Sequence, residues 1–261
     1  MGVHEWCSSK SRSLEDTKAT DKSLSRHFLK PPKKKTISRH ALLRIDEGAA
    51  MSLEEDDLKA QLIKTMVSLH SRGLMTGVGG NASVRIEGSD EVLITPSGLY
   101  KPELKPEDIV KIDMEGNVIE GIFKPSMEWY FHTAIYRRRR DVNSVIHTHS
   151  PYTTGMALAG KKIEPITLEA AVMLADVPIL NFRYPGTKEL GEIVGENILG
   201  HRAVILQNHG VVAVGYDLIE AITTIEVLEE ISKMAFVAHF FGGAKLIPPD
   251  QIELIKKLYK I

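Results

Sequence analysis

Cysteine is nearly missing from the chain: Cys7 is the only one in 261 residues. An internal disulfide is therefore impossible, a cysteine-built zinc site is excluded, and a reducing, cytoplasmic compartment is the expected setting. Long hydrophobic runs are missing too. No apolar stretch reaches the roughly 18 residues that cross a bilayer, and the N-terminus is polar where a secretion signal needs an apolar stretch. Net charge is scarce, since 33 Lys and Arg face 34 Asp and Glu for a formal charge of -1. No strong long-range field steers a nucleic acid or an anionic membrane toward the molecule, and neither is expected as a partner. Internal repeats and a regular βαβ series are absent as well. What is present is globular in character: 43% hydrophobic and 26% charged residues, enough to bury a full core in one or two domains.

The first fifty residues stand apart. They are rich in Ser, Lys, Arg and Thr around Pro31-Pro32-Lys33-Lys34-Lys35 and hold few apolar side chains. Residues 1–50 read as a disordered basic tail and the lysine run as solvated charge, with residues 51–261 forming the folded domain. Met51 directly precedes the capping-box pattern Ser52-Leu53-Glu54-Glu55 and is read as an alternative start.

From there, helix and strand signals alternate. An amphipathic run passes through Leu58, Leu62 and Leu69 to Gly73. Ala82 to Ile86 and Val92 to Ile94 read as a hairpin, and Ile109 to Ile112 as a strand ending in a turn. Ser126 is expected to cap a helix from Met127 toward Arg138, with Glu128, His132 and Ile135 at helical spacing and the cations Arg137 to Arg140 at its C-terminus. Strands are expected at Val142 to His149, Val177 to Leu180, Ala203 to Leu206 and Val211 to Val214. Helices are expected at Thr153 to Ala159, from Gly186-Thr187 to Leu199, and at Leu218 to Phe240. The class is α/β, a mainly antiparallel sheet covered by helices.

Two features carry chemistry. His147-Thr148-His149 ends an apolar strand, where residues two apart face the same way and can share one ion. His209 sits at a similar strand end, after Ala203-Val204-Ile205-Leu206. Three neutral imidazoles leave a coordination position open, as catalytic zinc sites do; the alternative is three ordinary strand-end histidines satisfied by hydrogen bonds. The second feature is a set of small-residue turns, Gly79-Gly80-Asn81, Thr95-Pro96-Ser97-Gly98 and Pro125-Ser126. Together they can cradle a phosphate, though each alone is an ordinary loop.

The segments GGNASVR (79–85), ITPSG (94–98), KPSMEWYFH (124–132), VIHTHS (145–150), PGTKEL (185–190) and QNHGVVAVG (207–215) resemble, in this order, the class II aldolase/adducin family and its fuculose-phosphate aldolase branch. The resemblance implies a three-layer α/β/α sandwich and a catalytic domain over residues 51–261. It implies one Zn2+ per subunit held by His147, His149 and His209, with Glu128 as resting ligand and proton carrier. It implies phosphate binding by Gly80, Asn81, Ser97, Gly98 and Ser126, a ketose 1-phosphate as substrate, and a homotetramer with active sites at subunit contacts. Two positions depart from the branch: Met127 replaces a second serine, and Thr167 stands near where a catalytic tyrosine belongs. Glu169, Tyr184 and Tyr259 are the replacement proton donors considered. Glu169 resembles the catalytic glutamate of methylthioribulose-1-phosphate dehydratases, which makes such a lyase the alternative reading. An adducin-like interaction domain without catalysis is the alternative of another class.

Overall fold

The computed structural model describes residues 55–174 and 176–259; the expected basic tail and the capping box at Ser52 lie outside them. Eight strands among these residues form one sheet: β1 (Asn81–Arg85), β2 (Val92–Ile94), β3 (Val110–Ile112), β4 (Val118–Glu120), β5 (Ser144–Thr148), β6 (Ile179–Leu180), β7 (Ala203–Leu206) and β8 (Gly210–Gly215). Their order is β4-β3-β2-β1-β5-β8-β7-β6. Every neighbouring pair is antiparallel except β6 and β7.

Helices cover both faces, which is why β5, β7 and β8 are near-continuous apolar runs rather than alternating ones. Ile146, Ala203, Ile205, Val211 and Ala213 turn to a core shared with α1 (Glu55–Ser71), α3 (Pro151–Leu158), α4 (Leu168–Met173) and α6 (Leu218–Phe240). The alternate residues Val145, Val204, Leu206, Val212 and Val214 turn to a second core with α2 (Trp129–Arg138) and α5 (Lys188–Asn197). The expected three-layer sandwich with a mainly antiparallel sheet is what the chain forms.

Some expectations are corrected. Ser126 does not cap α2: its hydroxyl accepts from the Glu128 amide at 3.3 Å, residues 127 and 128 form a turn, and the helix opens at Trp129 with Glu128 as N-cap. Glu128 does not cap the helix with its own side chain, which frees its carboxylate for other partners. The far end of α2 is closed by Arg85 from β1, whose guanidinium donates to the carbonyls of Tyr136, Arg139, Arg140 and Val142. Beyond the last expected helix, which ends at Phe240, lies a further one, α7 (Pro249–Tyr259). The turn expected after Ile112, at Asp113 and Glu115-Gly116-Asn117, is followed by a strand that was not expected, β4, an exposed edge strand held by Glu120, which pairs with Lys59 of α1 at 3.0 Å and Lys111 at 3.3 Å.

Candidate functional site

The start of β1, the end of β5, the β7–β8 turn and the N-terminus of α2 meet at one end of the central strands, because antiparallel pairing sets Asn81 opposite His147 and Thr148 opposite Val211. His147 lies in β5, His149 just past it, and His209 in the three-residue turn Gln207-Asn208-His209. That turn needs a left-handed residue, and Asn208 supplies it at φ 63°. One ligand atom from each of the three rings lies within 4.8 Å of the others. Gly210 lets them converge: a Cβ there would stand 2.2 Å from the Thr148 carbonyl and 3.0 Å from the His147 ring.

The His147 Nδ1–H donates to the Val211 carbonyl at 2.9 Å, so the unprotonated Nε2 faces the site. His147 Nε2, His209 Nδ1 and Glu128 Oε1 are buried polar atoms without a hydrogen-bond partner among the described residues. Such atoms are rare in folded proteins and call for an occupant. Glu128 Oε2 stands 3.3 Å from His147 Nε2, and Oε1 stands 3.4 Å from His209 Nε2. Three clustered imidazoles and a carboxylate, with His147 Nε2 and Glu128 Oε1 lacking hydrogen-bond partners among the described residues, fit a divalent cation.

Burial holds these rings neutral. It pushes His147 down to about 3, helped by His149, and pushes His209 down to about 4, helped by His147 and opposed by Glu128. His149 is lowered by burial as well. Neutral imidazoles are the form that binds metal. The consequence for stability follows from the sign: the folded values lie below the unfolded 6.5, so the unfolded chain takes up more protons and acid favours it. The metal-free protein is expected to lose stability as pH falls below about 6.5, by up to about 1.4 kcal/mol per pH unit for each such histidine. The window closes near 4 for His209 and near 3 for His147. Thermal melts of chelated protein from pH 7.5 to 5 check this; a flat profile would contradict it.

The expected phosphate positions gather at the same end. Ser97 N donates to the Lys124 carbonyl at 3.0 Å and Ser126 N to the Thr95 carbonyl at 3.0 Å, around a bridge between Pro96 and Pro125. This pairing brings the Ser97-Gly98 turn beside Ser126. Gly98 takes φ 75°, and Gly80 takes φ 69° where a Cβ would stand 2.8 Å from the His147 carbonyl. Asn81 lies at this end too, and its side chain donates to Glu128 Oε2 at 2.8 Å and meets His132 Nε2 at 2.6 Å, which ties it to Glu128. Sequence reasoning also missed Lys101. Its buried ammonium donates to the carbonyls of Pro96 at 2.8 Å and Leu99 at 3.1 Å, placing a cation within the Ser97-Gly98 loop, and burial lowers its pKa. Glu229 of α6 is a further miss. Its buried carboxylate accepts from the amides of Tyr152 and Thr153 and from the Thr153 hydroxyl, tying down the start of α3 directly after His149.

The other proton-donor candidates lie apart. Glu169 is exposed in the first turn of α4, where Thr167 is the N-cap, its hydroxyl accepting from the Ala170 amide. Tyr184 is 75% exposed. No hydrogen bond or ion pair among the described residues joins either to Glu128 or the three histidines. The Tyr259 side chain lies outside the described residues.

Residues 60–236 match the family described as Class II Aldolase and Adducin N-terminal domain. The chain belongs to the class II aldolase and adducin family. An L-fuculose phosphate aldolase from Methanocaldococcus jannaschii is 40% identical over 179 residues, which are 69% of this chain and 96% of that one. A 5-deoxy-D-ribulose 1-phosphate aldolase from Bacillus thuringiensis serovar kurstaki is 36% identical over 190 residues, 73% of this chain and 89% of that one. Among solved structures, an L-fuculose 1-phosphate aldolase superposes with a TM-score of 0.74 at 36% identity, covering 78% of this chain and 97% of its own. With the three-histidine cluster, this family membership makes the protein a metal-dependent lyase of the class II aldolase type. No helix among the described residues is long and apolar enough to cross a membrane.

Proposed function

We propose that this class II aldolase-type chain is a zinc enzyme that reversibly cleaves a ketose 1-phosphate, such as L-fuculose 1-phosphate or a 5-deoxypentulose 1-phosphate, into dihydroxyacetone phosphate and an aldehyde. The observation that carries the reading is the meeting of His147, His149 and His209 with Glu128, whose Oε2 stands 3.3 Å from His147 Nε2 and whose Oε1 stands 3.4 Å from His209 Nε2, at the end of the sheet where the Gly80, Ser97 and Ser126 turns also gather. The named relatives act on such sugar phosphates and support the substrate class.

His147, His149 and His209 would hold the ion, with Glu128 as a displaceable fourth ligand. When bound, it supplies a positive charge against the negative charge that develops on the substrate oxygens as the carbon–carbon bond breaks. The remaining work falls to the chain. The turns at Gly80, Ser97-Gly98 and Ser126, with the Lys101 cation behind one of them, fix the phosphate and so the position of the reacting carbons. In cleavage, the C4 hydroxyl loses its proton, the C3–C4 electron pair moves toward the C2 carbonyl, and the aldehyde departs. Glu128 in its protonated form then delivers a proton to C3 of the enediolate, giving dihydroxyacetone phosphate, and recovers a proton from solvent. The group that receives the C4 proton is drawn from outside this cluster. Assembly as a homotetramer with sites at subunit contacts belongs to the same reading and would bring such a group in; the exposed Phe236, Phe240 and Phe241 near the end of α6 support an apolar contact between copies.

The test is incubation of the zinc-loaded protein with L-fuculose 1-phosphate, 5-deoxyribulose 1-phosphate and methylthioribulose 1-phosphate, with and without chelator. Chelator-sensitive release of dihydroxyacetone phosphate is expected. Loss of water with no triose phosphate would overturn the aldolase reading in favour of the dehydratase.

A further inference from the structure

Behind Glu128 runs a buried file of polar side chains for which carbon–carbon cleavage itself supplies no role. Asn81 Nδ2 donates to Glu128 Oε2 at 2.8 Å, and Asn81 Oδ1 lies 2.6 Å from His132 Nε2. His132 Nδ1 lies 2.7 Å from the Ser83 hydroxyl, which lies 2.8 Å from the Tyr136 hydroxyl. The Tyr136 hydroxyl can also donate to the Ser83 carbonyl at 3.0 Å. Asn81, Ser83, His132 and Tyr136 are all buried, the last three fully.

The chemistry of the groups fixes the direction of each bond from Ser83 to Glu128. A carboxylate only accepts, so the Asn81 amide nitrogen faces Glu128 and its oxygen faces His132. His132 must then carry its proton on Nε2, which leaves Nδ1 to accept from Ser83. Donors therefore point one way, from Ser83 through His132 and Asn81 to Glu128 Oε2, with the single Tyr136 hydroxyl proton shared between the Ser83 hydroxyl and the Ser83 carbonyl. The strand register sets this up: Asn81 and Ser83 are two apart on β1 and share a face, while His132 and Tyr136 are four apart on α2 and share a stripe. Glu128 Oε1 receives no hydrogen bond among the described residues.

The structure assigns to Asn81 and His132 the role of positioning residues: they anchor Oε2 of Glu128 through a one-way chain of donors and leave Oε1 as the oxygen that moves the proton. The assignment rests on the reading of Glu128 as proton carrier. A glutamate whose carboxylate can rotate presents the proton poorly, and misplacement by about 1 Å can cost on the order of 100-fold in rate. Replacing Asn81 by Ala keeps its backbone amide and removes only the side chain held between Glu128 and His132, so the substitution is expected to act on kcat and not on KM.

The experiment compares Asn81→Ala, His132→Asn, His132→Gln and Glu128→Gln. A glutamine amide reaches the place of the histidine Nε2 and can still donate to Asn81; an asparagine reaches only the place of Nδ1. Expected are losses in kcat of about 10- to 100-fold for Asn81→Ala and His132→Asn, with KM within about twofold, zinc content kept, and rescue to within about threefold in His132→Gln. In metal-free protein carrying 15N-labelled histidine, His132 is expected as the neutral Nε2–H tautomer. Raised KM with unchanged kcat in Asn81→Ala, equal rates for the two His132 variants, or an Nδ1–H tautomer would each overturn the assignment. Should Glu128→Gln lose turnover while Asn81→Ala keeps it, the positioning role alone falls; should Glu128→Gln turn over fully, the proton-carrier reading falls with it.

Discussion

His149→Ala is expected to yield a folded chain that binds zinc at least about 100-fold more weakly and turns over substrate at background level. Two imidazoles and a carboxylate remain after the substitution, and only the two imidazoles once substrate displaces Glu128, one short of the three that hold the ion. His149 is the informative choice because it lies beyond β5 and is only partly buried. His147, by contrast, is fully buried, packs edge-on to Phe131 and bonds the Val211 carbonyl. Its removal would leave a cavity and an unpaired carbonyl, so loss of fold would obscure loss of metal. Metal content by mass spectrometry, set beside melting of the metal-free variant and wild type, checks the expectation. A metal-free variant that melts like wild type and still binds zinc tightly would contradict it.

Glu128→Gln is expected to keep much of the zinc and lose turnover by about 100- to 10,000-fold, the range for removing a positioned acid or base. Glutamine matches glutamate in shape, and its oxygen can still accept from Asn81, so the side chain stays in place without a transferable proton. Steady-state rates alongside zinc stoichiometry separate this from a structural effect. Full turnover would remove Glu128 from the reaction.

Much of the fold was legible because the three strands that frame the site, β5, β7 and β8, are buried on both faces and therefore read as unbroken apolar runs. The histidines were legible for a related reason: a polar ring directly at the end of such a run has no call to be there unless a turn or a ligand uses it. The role of Asn81 was not legible. It depends on the register that sets Asn81 opposite His147 and on the turn that starts α2 at Trp129, and neither can be read from spacing along the chain. His132 was visible only as a polar residue at helical spacing from Glu128. Lys101 and Glu229 were not legible either, since nothing local announces that a loop wraps one and a helix end is tied by the other. The strand β4 escaped because its three residues are exposed and held through Glu120 by ion pairs to the neighbouring strand and to a helix some sixty residues away.

The most direct test of the central claim is a zinc titration of chelated protein, reading bound metal and release of dihydroxyacetone phosphate on the same samples. The account predicts no cleavage at zero zinc, and activity that rises with bound metal and saturates at about one ion per chain. Cleavage that persists in the metal-free protein, or zinc that binds without restoring it, would contradict the account.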